Sequence, residues 1–390
     1  MALLLLLSSI LPGQCLAAPE LIVDIDFNDE VYIRPEPITE AQIEKLVRDL
    51  HDNGCQTLLL RMGYLGYLPY RTELSYPIGF DVEHARTHGA NSSVIGDLDK
   101  YIESHIAWNA RYAKVLEALN PPEVFIRYGH ELGMKVVIWL DIFDDGFPGY
   151  RSKFIDEHPQ CQWTAKDGTR FEGLISYAWP EARAFRVAQA KELLDLGADG
   201  IHCSTSAHCR HLPNPGNTDY YGYEEPIAAE YQRRFGVDIR TAETFDKDAW
   251  HTIKGEAQNE LYRELAKACH ERGEELWVGL QMGEYTQMCA SLYFGDNAVA
   301  RYRNLWKPLV DEGIADAFVL GDYELCFDPS TPYWKAKGID MPADGDLHGW
   351  AAEEYGPYCK GKTRLFVFGE WLSGDRRQWM PGSPRWPTGP

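Results

Sequence analysis

Apolar residues recur along the chain in a fixed order: a segment at helical spacing, a glycine, and a short apolar run. One example is residues 180–196, followed by Gly197 and the run Asp-Gly-Ile-His-Cys-Ser. Pro180 at the start of this segment favours a helix, because the first helical turn does not need the N–H that proline lacks. Segments that end at Gly273 and Gly313 repeat the order. Alternating helices and short apolar strands predict parallel βαβ units.

The same pattern identifies seven strands and a long insertion. The strands lie near Leu21, Thr57, Val136, Gly200, Leu276, Ala317 and Leu365, and residues 64–120 form an excursion after the second strand. We therefore predict an α/β protein with a (β/α)8 TIM-type barrel, a fold that needs eight strands. Because the residues after Glu370 show no strand pattern, we expect a barrel that is incomplete at its C-terminus. A dinucleotide-binding fold is less favoured, because no strand is followed by GxGxxG or a Walker loop.

The apolar periodicity also predicts where one strand and two helices begin and end. We predict the first strand within residues 21–30, a helix over residues 256–272, and another helix over residues 302–312. Thr39 is expected to cap the helix that follows the first strand, because a threonine side chain can accept a hydrogen bond from the first helical turn.

Side-chain alternation along each strand predicts which residues reach the mouth of the barrel. In the run around Val136, the apolar residues Val136, Ile138 and Leu140 fit the face that packs against helices, which leaves Trp139 and Asp141 inward. Inward side chains at the carboxyl end of a barrel strand line the active site. The other mouth positions by this rule are Asp26, Arg61, His202, Ser204, Gln281, Asp322 and Glu370.

Charge and aromatic content narrow the partners. The formal net charge of −21 disfavours nucleic acid, which needs clustered Lys and Arg, and it disfavours an anionic membrane surface. The chain has 12 Trp and 22 Tyr, and although most must serve packing, some on loops would suit stacking against sugar rings. A carbohydrate is therefore the expected partner. The oligomeric state stays open.

The N-terminus resembles an export signal. Leu3–Leu7 with Ile10 and Leu11 form a short apolar region, and small residues follow at Ala17 and Ala18. This pattern predicts a signal peptide over residues 1–18, a single domain over residues 19–390, and a secreted or periplasmic protein. No later stretch has the roughly 18 apolar residues of a transmembrane helix.

Metal and nucleophile motifs are weak. The cluster HCSTSAHCRH includes His202 and His208, but its spacing matches no closed zinc pattern, and strand alternation sends His202 and Cys203 to opposite faces. The chain contains neither GxSxG nor HExxH. We expect no metal and no cofactor.

The remaining signal is a set of carboxylates beside aromatic residues, which hydrolysis of a glycosidic bond requires. We expect Glu370 and Asp322 to be the catalytic pair, with Glu284 and Asp141 as alternates. One would protonate the leaving oxygen, and the other would attack the anomeric carbon or activate water. The expected substrate-binding residues are Asp26, Arg61, Tyr64, Trp139, His202, Ser204, His208, Gln281 and Trp371.

Other interpretations of these residues stay open. Asp26 and Arg61 could form a structural ion pair, and Asp141 could cap the turn before Gly146. A non-catalytic glycan-binding barrel would keep the aromatic platforms without the acids. A polysaccharide lyase would use a Tyr or His base, with Arg61 neutralising a uronate.

Several segments also resemble a known family. LISYAWPEAR, LGADGIHCSTSAH, YYGYEEPIAAEYQRRFGVDI and LWKPLVDEGIADAFVLGDYE are similar to the glycosyl-hydrolase-like family 10 proteins of bacteria, which are exported barrel proteins. The resemblance covers residues 174–324 well and the N-terminal half loosely. It implies a TIM-barrel glycoside hydrolase that acts on a polysaccharide or oligosaccharide. Many barrel glycosidases carry an acid after the fourth strand, whereas HCSTSAH has none at that place.

Overall fold

The computed structural model describes residues 20–89, 95–205, 217–288, 299–321, 339 and 347–367, together with the backbone of residues 4–7. The main sheet contains seven parallel strands, which confirms the seven predicted from the sequence. In spatial order they are β2 (Leu21–Ile25), β3 (Thr57–Arg61), β4 (Lys135–Asp141), β9 (Gly200–Ser204), β10 (Glu275–Leu280), β13 (Ala317–Leu320) and β14 (Arg364–Val367).

The sheet is curled, and its two outer parallel strands are bridged by a short segment. The strand β1 (Leu4–Leu7) pairs antiparallel with β2 and with β14, so the strand order closes on itself. The bridging segment is antiparallel and is not an eighth βα unit, so the expected (β/α)8 barrel is shown only as far as its seven parallel strands. The segment lies within residues 1–18, whose role as a leader stays a prediction.

The helices lie between the strands of the sheet and in the segments that follow them. Among the described residues they are α1 (Phe27–Tyr32), α2 (Glu40–Asp52), α3 (Val82–Gly89), α4 (Leu98–Ala118), α5 (Pro121–Glu131), α6 (Lys153–Glu157), α7 (Pro180–Asp195), α8 (Glu225–Phe235), α9 (Lys247–His270), α10 (Trp306–Asp311) and α11 (Leu347–Cys359). Helix α2 begins at a capping box in which Thr39 and Gln42 satisfy each other's backbone N–H groups, as predicted for Thr39. No helix in the described ranges is long and apolar enough to cross a membrane.

Three predicted boundaries are wrong, each because a local contact ends or extends an element. The first strand stops at Ile25, because Asp26 caps α1 by accepting a hydrogen bond from the backbone N–H of Asn28. Helix α9 begins at Lys247 instead of residue 256, because Asp246 caps it there. The predicted helix over residues 302–312 begins only at Trp306, since the residues before it pair in a hairpin.

Hairpins extend from the carboxyl ends of two strands of the main sheet. After β4 come β5 (Gly146–Phe147) with β6 (Tyr150–Arg151), and then β7 (Gln162–Thr164) with β8 (Arg170–Ile175). After β10 comes β11 (Tyr285–Met288), which pairs with β12 (Ala300–Arg303). Helices α3 and α4 follow β3, so the carboxyl end of β3 also leads into a long insertion.

Candidate functional site

Arg61 joins two carboxylates at the carboxyl ends of β2, β3 and β4. Its Nη1 lies 2.6 Å from Oδ2 of Asp26, and its Nη2 lies 2.5 Å from Oδ2 of Asp141. Its Nε also donates to Asp141, at 2.6 Å. A third carboxylate, Asp144, lies 3.7 Å from Nη2. The Arg61 side chain is 1% exposed, so these are buried ion pairs, in which removal of one partner is costly.

Two aromatic rings flank the Arg61 guanidinium. Its carbon lies 4.7 Å from the ring centroid of Tyr64 and 4.9 Å from that of Trp139, both at cation–π distance. The indole Nε1 of Trp139 donates to Asp141 at 2.9 Å, and the ring meets His202 edge to face at 6.2 Å. Trp139 is fully buried, so in this structure it supports the Arg61 cluster and offers no exposed face to a sugar ring.

In the described part of the chain, the carboxyl groups of Asp24, Asp26, Asp141 and Asp144 lie around the guanidinium of Arg61. Asp24 faces the same interior as Asp26, is buried, and has an Oδ1 without a hydrogen-bond partner among the described residues. Burial raises the pKa of Asp24 well above its ordinary value, and the negative charge of Asp26 raises it further against the opposing effect of Arg61. Burial also raises the pKa of Asp141. The cluster therefore retains a proton at a pH at which an exposed aspartate has lost it.

A second buried ion pair lies beside the first. Arg186 on α7 pairs with Asp145, and its Nε also donates to the hydroxyl of Tyr177 at 2.9 Å. A small polar cavity between the two ion pairs, with room for about one water molecule, is lined by Tyr64, Asp141, Asp144, Asp145 and Arg186, among others. The carboxyl ends of β3 and β4 are therefore rich in buried acids.

The structure brings several predicted residues together and places others elsewhere. Ser204 is opposite Asp141 in the register of β4 and β9, and its carbonyl accepts from the backbone N–H of Ile142 at 3.0 Å. Gln281 holds β11 near its end through two hydrogen bonds to the backbone of Gln287, each 2.9 Å long. Glu284 is exposed and pairs with Arg303. Catalytic and substrate-binding roles for these residues stay predictions.

Four predicted site residues lie outside the described ranges. They are His208, Asp322, Glu370 and Trp371. In sequence, Asp322 follows β13 closely and Glu370 follows β14 closely, and these two strands are parallel neighbours with Leu320 opposite Val367. Their role as the catalytic pair stays a prediction.

Sequence reasoning missed Asp24, Asp144 and Asp145. The signal for Asp24 was present, because Asp24 and Asp26 share one parity of the first strand, but only the outer residue was assigned to the mouth. Asp144 and Asp145 follow the strand directly in the run Ile-Phe-Asp-Asp-Gly. Their burial depends on packing against α7 and the following hairpins, which no local pattern reveals.

Comparisons with known proteins give no family for the chain. No protein-family model matches it, and no curated protein matches it. Its structural neighbours include glycoside hydrolases. The catalytic domain of a β-amylase from Paenibacillus polymyxa is 12% identical with a TM-score of 0.42, and the match covers 87% of this chain and 90% of that one.

Two other neighbours are also glycosidases. An α-galactosidase from Thermus thermophilus is 11% identical with a TM-score of 0.41, covering 91% of this chain and 52% of that one. An exo-β-N-acetylglucosaminidase from Vibrio harveyi is 11% identical with a TM-score of 0.33. That match covers 63% of this chain and 34% of the other, so the chain corresponds to about a third of the enzyme's length. Membership of the glycosyl-hydrolase-like family 10 stays a prediction.

Proposed function

We propose that the protein is a glycoside hydrolase that cleaves a polysaccharide or oligosaccharide. The observation that carries this proposal is the cluster of carboxyl groups at the carboxyl ends of β2, β3 and β4, where Asp26, Asp141 and Asp144 contact one guanidinium and Asp24 interacts electrostatically with it. Glycosidic hydrolysis needs one carboxyl group that holds a proton and one that is ionised. Unequal burial around a single cation separates carboxyl groups in this way, and the Arg61 cluster would support a catalytic pair at the same edge of the sheet.

Within this proposal, Asp322 and Glu370 are the catalytic pair. Asp141 is fully buried and bonded to Arg61 and Trp139, which suits a group that positions its neighbours. Glu284 is 56% exposed and neutralised by Arg303, which suits a surface ion pair. Asp322 and Glu370 follow neighbouring parallel strands, whose carboxyl ends share one edge of the sheet.

A lyase is less favoured by the same geometry. A lyase would need a free cation to neutralise the uronate of its substrate, and Arg61 is the candidate from the sequence. Arg61 is buried and already bonded to Asp26 and Asp141, so its charge is compensated within the protein.

The test is release of reducing ends from a panel of soluble polysaccharides. We expect activity in the wild type, and Asp322→Asn and Glu370→Gln should each lower kcat by about 100-fold or more, as loss of an acid–base group does. Glu44→Gln, on the exposed face of α2, is the matched control and should keep full activity. If Asp322→Asn and Glu370→Gln both keep full activity, the assignment of the pair is wrong. If the wild type binds glycans without releasing ends, the protein is a glycan-binding barrel.

We also propose that the protein is exported, on the basis of the apolar segment within residues 1–18. The test is the N-terminal mass of protein recovered outside the cytoplasm of an expressing host. A mature N-terminus near Pro19 supports export, whereas an intact leader on protein that stays in the cytoplasm contradicts it.

A further inference from the structure

Two histidines and a glutamate converge away from the Arg61 cluster. His84 and His88 lie four residues apart on α3, so their side chains share one face of the helix. Glu172 on β8 faces both of them, with Oε2 3.2 Å from Nε2 of His84 and 3.2 Å from Nε2 of His88. Within the described ranges, this is the group of metal-ligating side chains whose ligand atoms all lie within 4.8 Å of one another.

These separations fit a bound transition metal. Zinc binds imidazole nitrogen at about 2.0–2.1 Å and carboxylate oxygen at about 2.0–2.2 Å, so two ligand atoms on a tetrahedral centre lie roughly 3.3–3.4 Å apart. Both observed nitrogen-to-oxygen distances are 3.2 Å. Two imidazoles favour a metal such as zinc over magnesium or calcium, which prefer oxygen ligands.

Glu172 is the contact of His84 at Nε2. The His84 side chain is 4% exposed, and Oε2 of Glu172 lies 3.2 Å from its Nε2 without the alignment of a full hydrogen bond. A metal ion between these two atoms would bond to both of them. The His88 and Glu172 side chains are 29% and 24% exposed, so a cation can reach the group from solvent.

The surrounding charges favour a cation. Arg151 lies 3.6 Å from Glu172, 3.9 Å from Asp81 and 3.7 Å from Asp156, so three carboxylates surround one guanidinium. Carboxylates therefore outnumber guanidinium groups among these contacts.

We propose that His84, His88 and Glu172 bind a divalent transition-metal cation of the zinc class, with the fourth position taken by water. The metal joins α3, in the insertion after β3, to the hairpin of β7 and β8. His88 is already oriented for this role, because its Nδ1 lies 3.0 Å from the carbonyl oxygen of His84. Such a bond from the second ring nitrogen fixes the tautomer that leaves Nε2 free to bind metal.

His84 needs one local change. Its Nδ1 accepts from the backbone N–H of Gly149 at 2.8 Å, which puts the hydrogen of the neutral ring on Nε2. Gly149 has φ +95° and follows Pro148 in the two-residue loop between β5 and β6, as in a type II turn. Types I and II differ by a reversal of the central peptide, so reversal directs the Pro148 carbonyl toward Nδ1 and breaks the hydrogen bond that this carbonyl accepts from the Tyr101 hydroxyl. The hydrogen of the neutral His84 ring then moves from Nε2 to Nδ1, which leaves Nε2 free to bind the metal.

The test is a zinc titration of the full chain by calorimetry at pH 7.5, after treatment with EDTA. We expect His88→Ala and Glu172→Gln to weaken one zinc site by more than the roughly 10–100-fold that outer-shell substitutions cost. His130→Ala is the matched control, because His130 also lies on a helix and faces a single carboxylate, Asp199. It should leave zinc binding unchanged.

Two further measurements keep the result interpretable. His88→Gln keeps the volume and polarity of the side chain, so it should fold as the wild type does while it still loses the zinc site. Cobalt in place of zinc should give the intense visible absorption of a tetrahedral centre in the wild type, and this absorption should be absent from Glu172→Gln. The proposal is overturned if the wild type does not bind zinc, or if it binds zinc with the same affinity as His88→Ala, His88→Gln and Glu172→Gln.

Discussion

At the scale of single residues, Arg61 sets the charge balance of the strand ends. Its guanidinium lies between Asp26 and Asp141, and the rings of Tyr64 and Trp139 flank it. Planar guanidinium groups suit this role because they bind two carboxylates in fixed directions and also pack against aromatic rings. Lysine offers only a point charge and could not replace these contacts.

Arg61→Met should therefore destabilise the protein strongly. Removal of one partner from a buried ion pair costs about 3–5 kcal/mol, because the remaining charges stay buried without compensation. Chemical denaturation measures the change in the free energy of unfolding. Arg127→Met, which breaks the exposed pair with Glu40, is the control and should change that free energy by less than about 1 kcal/mol. Equal effects for both variants would contradict the account of the cluster.

The Asp24 carboxyl should make stability depend on pH. Its folded pKa is raised above the unfolded value, so the folded state keeps a proton that the unfolded state loses. The stability of the wild type should fall as the pH rises above about 4 toward the raised pKa. Asp24→Asn resembles the protonated acid and should remove this part of the pH dependence. Parallel stability–pH curves for the two proteins would contradict the assignment.

At the scale of elements, helix α9 contains a buried lysine, Lys254, that interacts with the buried carboxyl group of Glu224 without a hydrogen bond between them in the described part of the chain. Lys254 is buried, and its Nζ lies 3.6 Å from the ring centroid of Trp250 with no hydrogen-bond partner in the described part of the chain. Burial lowers the pKa of Lys254 to about 7, although Glu224 opposes that change. The unfolded state therefore binds more protons than the folded state between about pH 7 and pH 10.5.

Two consequences follow for α9. The stability of the wild type should rise with pH between about 7 and 10, because the cost of a buried charge disappears as Lys254 loses its proton. Lys254→Met should stabilise the protein by roughly 1–4 kcal/mol at pH 6, as replacement of buried charged groups by apolar ones often does. Thermal unfolding at pH 6 and pH 9 tests both statements. A destabilised Lys254→Met at pH 6 would show that the amine is needed.

Glycine at position 255 lets α9 approach the hairpin strand β12. A Cβ there would lie 2.3 Å from the carbonyl oxygen of Arg303, a backbone atom that cannot move aside cheaply. Gly255→Ala should destabilise the protein by about 1–3 kcal/mol despite alanine's better helix propensity, as overpacking does. Thr252→Ala, one turn earlier in the same helix, should stay within about 0.5 kcal/mol. A stabilised Gly255→Ala would contradict the close approach.

Element by element, local patterns were enough to find the strands but not the contacts between distant segments. Alternation placed Trp139 and Asp141 on the inner face, and the parallel sheet then brought them to Arg61. Apolar spacing places Tyr302 and Arg303 in a helix, but they pair with Thr286 and Tyr285 of β11, which are too distant in sequence for a local pattern to reveal. His84 and Glu172 come together through the packing of an insertion, which their separation of 88 residues conceals.

At the scale of the whole molecule, seven parallel strands place their carboxyl ends at one edge of the sheet. The Arg61 cluster lies at the carboxyl ends of β2, β3 and β4, and the expected acids Asp322 and Glu370 follow β13 and β14 in sequence. The proposed glycoside hydrolase would use both groups at this one edge of the sheet. Its central claim is that water adds across a glycosidic bond.

Cleavage in water labelled with oxygen-18 tests that claim most directly. With a polysaccharide from the panel as substrate, mass spectrometry at short reaction times should find one labelled oxygen per new reducing end, because hydrolysis adds water at the anomeric carbon. Finished product held in the same water without enzyme controls for exchange. New reducing ends without label, released together with fragments that have an unsaturated end, would show a lyase. The absence of any new ends would show a binding protein. Either result would contradict a glycoside hydrolase.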